Sequence, residues 1–227
     1  MSLLGEAALA MWWDITGETR VEFEHWHSHE HFPERLAIPG FLRASRWSSA
    51  DGGEGFFVLY ELADYGVLAS PGYLARLNAP SPWSARMMPQ HRNMVRSQCR
   101  VLASHGAVLS REVLTIRLAP AAGRADDLRS ALLTLAQGLV QRPGISGMHL
   151  LAHEKPPIAV TEEQRMRGLR DEAADWIVLL SAYDHADLRA VAAAELSDGA
   201  LEQIGAAAGT RAEVHTLRAS AQPGETP

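Results

Sequence analysis

Short runs of large apolar residues recur along the chain, and segments with a helical period lie between them. Apolar runs bounded by turn residues are typical of buried strands, whereas an apolar stripe every three or four residues indicates an amphipathic helix. In the first half this pattern predicts a β-α-β-β-α-β order. The predicted elements are a strand at 7–15, a helix from Thr19 to the Pro39-Gly40 break, strands at 41–48 and 56–62 joined by a hairpin, helical material at 65–97 and a strand at 99–104.

The second half repeats this order. Its first helix carries a leucine stripe and ends at Pro143-Gly144, just as the first helix of the chain ends at a Pro-Gly pair. Two such halves predict an α+β fold of tandem ferredoxin-like repeats. The predicted elements are a strand at 113–118, a helix at 124–141, strands at 148–153 and 176–183, a helix at 185–196 capped by Asp184, and a strand at 212–217.

The repeat divides the chain into residues 1–108, residues 109–220 and a loose tail at 221–227. The second half carries a long insertion at 155–175, whose charge pattern favours a solvated helical flap over a ligand lid. Each predicted sheet has helices on one face only, yet both faces of the first strand carry large apolar residues. If the two sheets pack on each other as a barrel within one chain, both faces are buried.

Composition and charge exclude several classes of protein. The chain has 27 acidic and 21 basic residues, and the resulting net charge of -6 argues against nucleic-acid or membrane-surface partners. Cys99 is the only cysteine, which excludes an internal disulfide and favours a reducing compartment. No apolar run reaches the length of about 18 residues that a membrane helix needs, and no signal-peptide pattern is present. We therefore expect a cytoplasmic globular protein.

Residues 24–35 concentrate groups that carry acid–base or metal chemistry. This segment holds four of the ten histidines, three glutamates and one arginine. On a helix, His25 and His29 lie one turn apart, and so do His27 and His31. Such a pair supplies only two metal ligands, whereas a catalytic zinc site has three, so we predict no metal site. His25 and His29 fit a solvated outer face.

His27, Glu30 and His31 are the predicted catalytic residues. They lie on the face of the helix that leads into the Pro-Gly break. An offset set by the two breaks places Ala131 and Leu135 of the second half opposite His27 and His31. The second half is thus apolar where the first is polar, a difference that packing alone does not require.

Three further residues are predicted to bind a ligand. Arg35 stands near the end of its helix, where it also favours the helix dipole and can join Glu34 in an ion network with the next strand. Tyr60 ends a central strand, and its phenol can face a cavity or a hydrogen-bonding partner. Trp83 follows a Pro-Ser-Pro segment and can be a cavity wall or a core plug.

The same residues carry a resemblance to a known family. Residues 26–47, with the pattern W…EHxPERLxxPGFL, resemble the dimeric α/β-barrel superfamily, and within it an EthD-like group. Similar segments follow at 59–62, 68–74 and 78–83, so the resemblance covers the first half only. It implies a small, often aromatic, ligand between the sheet and its helices. Members of the superfamily include cofactor-free quinone-forming monooxygenases, polyketide cyclases, haem-degrading enzymes, dehydratases and stress proteins with no known reaction.

Three functions stay open. The first is a cofactor-independent enzyme that acts on an aromatic or polyketide-like molecule in a cyclase-, monooxygenase- or isomerase-like reaction. His31 or His27 is then the general acid/base, and Glu30 orients it. The second is a non-catalytic ligand-binding or stress-response barrel, in which Glu34 and Arg35 are buried and paired. The third is a metal- or haem-binding protein. Two fused halves predict a monomer with an internal pseudo-dimer, or a homodimer.

Overall fold

The computed structural model describes residues 3–106, 108–169 and 171–225. Its strands are β1 (Ala7–Asp14), β2 (Phe41–Ser49), β3 (Gly55–Leu62), β4 (Arg92–Gly106), β5 (Glu112–Leu118), β6 (Ile145–His153), β7 (Trp176–Ala182) and β8 (Arg211–Ala221). Its helices are α1 (Arg20–Trp26), a π-helical segment (His27–His31), α2 (Phe32–Leu36), α3 (Pro71–Asn78), α4 (Pro82–Met87), α5 (Ala125–Leu139), α6 (Glu162–Met166), α7 (His185–Ala193) and α8 (Asp198–Gln203). Short 3-10 helices lie at Tyr65–Ala69 and Met88–Gln90.

The strands form a closed barrel in the hydrogen-bonded order β1-β3-β2-β8-β5-β7-β6-β4. Each half supplies four strands and their helices in the β-α-β-β-α-β order. The predicted α+β class, with tandem ferredoxin-like halves forming an α/β-barrel within one chain, is confirmed. The chain divides into two compact units, which we call the N-terminal unit (mainly Leu4–Arg100 and Glu154–Ala173) and the C-terminal unit (mainly Val101–His153 and Ala174–Leu217).

The core of the N-terminal unit is rich in aromatic residues. Strand β1 pairs antiparallel with β3, so that Trp12 lies opposite Phe57 and Trp13 opposite Phe56. On the helix-covered face, the Phe23 ring lies 4.8 Å from the Phe56 ring. On the other face, Trp12 stacks on Phe57 at 4.9 Å. Both faces of β1 are therefore buried, as its sequence of large residues on both sides requires.

The core of the C-terminal unit is aliphatic. Helix α5 buries Leu128, Leu132, Ala136 and Leu139, while Leu135 stays half-buried beside them. The helix is followed by Gly144, which has a positive φ of 83° and lets the chain turn into β6. Over the residues that the structure describes, we find no helix with the length and apolar character needed to cross a membrane.

Several elements differ from the sequence-based expectation. Strand β4 begins at Arg92 rather than at residue 99, because its polar side chains have partners inside the unit: Arg96 donates to the Tyr73 hydroxyl at 2.9 Å. Helix α8 was not predicted. Strand β8 runs through Ala221, which we had placed in the tail, and the last two residues of that tail lie outside the described residues.

The insertion, up to Ala173, belongs to the N-terminal unit rather than to the half that encodes it. It contains α6, which starts with a capping box between Thr161 and Gln164. Thr161 and Glu163 are buried, so this helix is not the solvated flap that its charges suggested. Arg170, within the insertion, lies outside the described residues.

The first Pro-Gly break gives a test of the fold. Gly40 has φ 97°, and a Cβ there would clash with the Val67 side chain; Gly52 has φ 82° and an open surrounding. We expect Gly52→Ala to lower the free energy of unfolding by about 1–2 kcal/mol, the cost of a left-handed backbone. Gly40→Ala should add overpacking of about 1–3 kcal/mol to this cost. Urea denaturation measures both, and equal losses would show that Val67 moves aside freely.

Candidate functional site

One helical face of the N-terminal unit carries four buried side chains into the core: Phe23, His27, His31 and Arg35. In a regular α-helix, each step of four residues overshoots a full turn by about 40°, so these positions would drift around the axis. Between His27 and His31 the chain forms a wider π-turn instead, in which the Phe32 N–H donates to the His27 carbonyl. The wider turn opposes the drift and keeps the four side chains on the buried face. Such turns are frequent at functional sites.

The two imidazoles on this face are neighbours inside the aromatic core. The His27 and His31 ring centroids lie 5.2 Å apart. The Phe32 ring stands edge-on to His27 at 4.4 Å, and the Trp26 ring lies 4.6 Å from His31. Phe23 lies 5.2 Å from His27 on the other side. The rings that surround both imidazoles are therefore largely apolar.

A third buried imidazole, His91, faces the same cluster. Its Nδ1 lies 3.0 Å from the Met87 carbonyl and 3.2 Å from the Met88 carbonyl. Both partners are acceptors, so Nδ1 carries the hydrogen and donates it, which makes Nε2 the acceptor of the neutral ring. The ring stands 4.8 Å from Trp13. His91 follows a 3-10 turn containing Pro89, and no sequence signal had given it a partner.

The environment keeps all three imidazoles neutral near pH 7. Burial lowers the pKa of His27 well below its usual value, and the positive charge of Arg46 adds to this effect. Burial also lowers the pKa of His31 well below its usual value, and among the charged groups Arg35 adds most to this effect. For His91, burial lowers the pKa to about 4. A neutral imidazole offers one donor and one acceptor to a bound molecule.

Several buried polar atoms in this cluster have no hydrogen-bond partner among the residues that the structure describes. They are Nδ1 of His27, Nδ1 of His31, the Tyr60 hydroxyl and Nε1 of Trp13. Such atoms are rare in folded proteins, because leaving one unsatisfied costs about 1–3 kcal/mol. Burial raises the pKa of Tyr60, which therefore stays protonated and able to donate. The cluster thus contains hydrogen-bonding groups without partners among packed aromatic rings.

Arg35 places a buried positive charge beside this cluster. Its guanidinium lies over the Tyr73 ring at 5.8 Å and forms an ion pair with Glu163 of α6. Nη1 stands 3.6 Å from the Glu34 carboxylate. Burial works against the charged form of Arg35, but Glu163 and the neighbouring tyrosines outweigh it and raise the pKa. Arg35 is therefore a fixed cation.

The ion network expected between Glu34-Arg35 and strand β2 has a different arrangement. Arg43 pairs with Glu61 on the adjacent strand, with Nε and Oε1 2.6 Å apart. Arg46 instead reaches the helix through Ser28, whose hydroxyl accepts at 3.1 Å. Arg35 itself is paired from the insertion, 128 residues away in sequence. Arg46 thus joins the helix to β2, whereas Arg35 pairs with Glu163 of α6.

Glu30 is separated from the imidazoles by the Trp26 side chain. Its carboxylate accepts from Trp26 Nε1 at 3.1 Å and from the Ser84 hydroxyl at 3.3 Å. Within the described ranges no hydrogen bond joins it to His27 or His31. Glu30 therefore holds the Trp26 ring against His31, and the predicted direct orientation of an imidazole by Glu30 is not seen.

Trp83 lies away from the imidazoles. It is half-buried, its Nε1 donates to the exposed Glu22 at 3.3 Å, and its ring stands 5.3 Å from the exposed His25. Of the six predicted site residues, the structure brings together His27, His31, Arg35 and Tyr60. Tyr60 joins the cluster through the Phe32 ring, 5.7 Å away.

The structure adds His91, Glu163 and Tyr73 to the residues predicted from sequence. The capping-box pattern Thr161…Gln164 could have located α6, but nothing in the sequence paired Glu163 with Arg35. Across the described parts of the chain, no group of three or more His, Cys, Asp or Glu side chains is placed to hold a metal ion.

Comparisons with known proteins agree on the fold. No family model matches this chain, and no curated protein does. Among solved structures, an anthrone oxidase-like protein superposes with a TM-score of 0.67 at 14% identity, over 98% of this chain and 95% of that one. This is the dimeric α/β-barrel fold. Identities this low show the fold alone.

Two further structures extend the comparison. A candidate monooxygenase from Fusobacterium nucleatum gives a TM-score of 0.62 at 8% identity, covering 96% of this chain and 95% of that one. Another candidate monooxygenase, from Lactobacillus acidophilus, gives 0.61 at 10% identity, covering 97% of both chains. The finer resemblance of the first half to an EthD-like group stays a prediction.

The buried imidazoles predict a loss of stability in mild acid. The unfolded chain protonates them below about pH 6.5, whereas the folded chain does so only at lower pH. The unfolded state therefore binds more protons in this window, and the free energy of unfolding should decrease as the pH falls from about 6.5 towards 4. His91→Asn keeps a donor for the two carbonyls and should reduce this proton uptake by about one proton per molecule.

The control for this measurement is His25→Asn, because the His25 side chain is exposed in the folded chain. Chemical denaturation at a series of pH values gives the slope for each variant. An unchanged slope in His91→Asn would contradict a neutral, buried imidazole at this position.

Proposed function

We propose that this chain is a cofactor-independent enzyme that removes a proton from an activated carbon or hydroxyl of a small aromatic or polyketide-like molecule. His31 or His27 is the general base. The proposal rests on one observation above all: unsatisfied donors and acceptors of His27, His31 and Tyr60 inside an aromatic core. The likeness of the fold to an anthrone oxidase-like protein and to candidate monooxygenases supports the same class of chemistry.

The chemistry needs only the residues of this cluster. The lone pair of a neutral imidazole takes the proton, and the C–H electron pair moves onto the conjugated carbonyl oxygen to form an enolate. Tyr60, protonated, can donate to that oxygen, and the charge of Arg35 stabilises it. A positioned histidine base contributes a rate factor of about 10²–10⁴. Because the lowered pKa values of His27 and His31 make them weak bases, the reaction suits an acidified C–H.

Cyclase-, isomerase- and monooxygenase-like reactions all share this first step. The enolate can attack an internal carbonyl, recover its proton at another carbon, or react with dioxygen. For anthrone, oxygenation consumes one dioxygen, forms the quinone and releases one water. Dioxygen is then the oxidant, and no step requires a bound cofactor.

A non-catalytic ligand-binding barrel is the second candidate. The complete burial of His27 and the strong pairing of Arg35 favour it, because deep burial weakens an imidazole as a base and a buried ion pair can serve the fold alone. In that case the unsatisfied polar atoms bind a ligand group without transferring a proton.

Anthrone in deuterated buffer tests the proposal. We expect the wild-type protein to accelerate deuterium exchange at the methylene carbon and oxygen uptake, as followed by NMR and an oxygen electrode. The double variant His27→Phe/His31→Phe should lower both rates by about 100-fold or more, the share of a general base. Tyr60→Phe should lower them less, because it removes a donor and not the base.

His29→Asn, on the exposed face of the same helix, is the matched control and should keep full activity. Wild-type protein that binds anthrone without accelerating exchange would favour the binding function. Equal activity of the double variant and the wild type would overturn the role of the two imidazoles.

A further inference from the structure

We propose that Arg35 binds the carboxylate of an aromatic ligand, and that Glu163 of the insertion occupies this position when the ligand is absent. Helix α6 is then a lid that ligand binding displaces. The inference rests on the proposed function, since the ligand is the same small aromatic molecule. It adds a chemical class to that molecule: an aromatic carboxylate.

The first argument is the position of Arg35. Its side chain is buried beside the rings of Tyr73 and Tyr60, and its residue is only 2% exposed. Its charge acts on both imidazoles of the site, and it is one reason for the lowered pKa of His31. A guanidinium presents a fork that matches a carboxylate. Arg35 therefore stands where it can fix the acidic end of a molecule whose rings lie against the histidines.

The second argument is the source of its counter-ion. The element that carries Arg35 supplies only Glu34, 3.6 Å away and shared with the exposed Arg76 at 3.3 Å. The closer partner is Glu163, which reaches Arg35 from an insertion into a hairpin of the second half. If the fold needed only to neutralise a buried arginine, a carboxylate on a neighbouring strand would be enough. Glu61, for example, neutralises Arg43 from the adjacent strand.

The third argument is how α6 is attached. Of its five residues, only Glu163 is buried, so the helix docks through a charged group and not through an apolar face. Met166 adds a partly buried contact with the aromatic core. The helix is followed by Gly168 and Leu169, which both have positive φ values, of 81° and 58°.

Further contacts of this segment are polar. The buried Arg167 side chain lies 3.9 Å from Glu163 and pairs with Asp171 at 2.6 Å. The Glu162 N–H donates to Asn78 at 3.1 Å. Polar contacts can be exchanged for contacts with water, so α6 opens at a lower free-energy cost than a helix with a buried apolar face once the Arg35–Glu163 pair is replaced.

Helix α6 can open only when another carboxylate replaces Glu163 beside Arg35. Moving Glu163 away alone would leave the buried Arg35 with only Glu34, which is 3.6 Å away and shared with Arg76, and this loss of its closer counter-ion is unfavourable. A ligand carboxylate removes this penalty, because it neutralises Arg35 as Glu163 does. The ligand and Glu163 therefore compete for one guanidinium, and a neutral analogue of the ligand gains nothing from the exchange.

Binding of 1-naphthoate and of its neutral counterpart, 1-naphthamide, tests the competition. Isothermal titration calorimetry is performed on the wild type, Glu163→Gln and the matched control Glu162→Gln. Glu162 stands next to Glu163 on α6, but its carboxylate pairs with the exposed Arg165. We expect Glu163→Gln to bind naphthoate about 10- to 100-fold more tightly than the wild type, the usual share of a charged hydrogen bond. Naphthamide binding and the control should not change.

A second measurement needs no variant. Amide hydrogen exchange of α6 in the wild-type protein should become faster with saturating naphthoate and stay unchanged with naphthamide. Equal naphthoate affinity in the wild type and Glu163→Gln, or bound naphthoate without faster exchange in α6, would overturn the inference.

The two hypotheses fail in different ways. If naphthamide binds but naphthoate gains nothing from Glu163→Gln, only the role of Arg35 as a carboxylate site is wrong. If the wild type, Glu163→Gln and the control bind neither compound, the N-terminal core takes no aromatic ligand, and the proposed function fails with the inference.

Discussion

A positive charge buried among aromatic rings needs a carboxylate at its side, and much of the N-terminal unit follows from this need. Arg35 lies on the same helical face as His27 and His31, and its charge contributes to the lowered pKa of His31. Glu163 of α6, in the insertion, is the close carboxylate beside this charge. The same ion pair thus joins the helix that carries the buried imidazoles to the insertion.

The fold could be predicted because its signals are local. Period-two and period-3.6 patterns mark most strands and helices, and the two Pro-Gly breaks mark equivalent positions in the halves. The start of β4 could not be predicted in the same way, since Arg96 and its neighbours look solvent-exposed in sequence. Their burial depends on partners such as the Tyr73 hydroxyl, which only the folded chain brings near.

The arrangement of the candidate site could be predicted only in part, for a related reason. His27 and His31 could be separated from His25 and His29 by helical position, and the structure places the first pair inside and the second outside. Helical position does not reveal what lies across from a side chain. Glu30 turned out to face Trp26, and Glu163 contacts a residue 128 positions earlier.

The π-turn at His27–His31 decides which side chains this helix can bury together. A π-turn holds one residue more than the α-turn that it replaces. If the same residues formed regular α-turns, the excess of about 40° in each four-residue step would accumulate to about 120° between Phe23 and Arg35. The ring at one end of the row and the guanidinium at the other would then no longer share a face. The joint burial of an aromatic ring, an imidazole pair and a guanidinium along one helix therefore depends on the hydrogen bonding of a single turn.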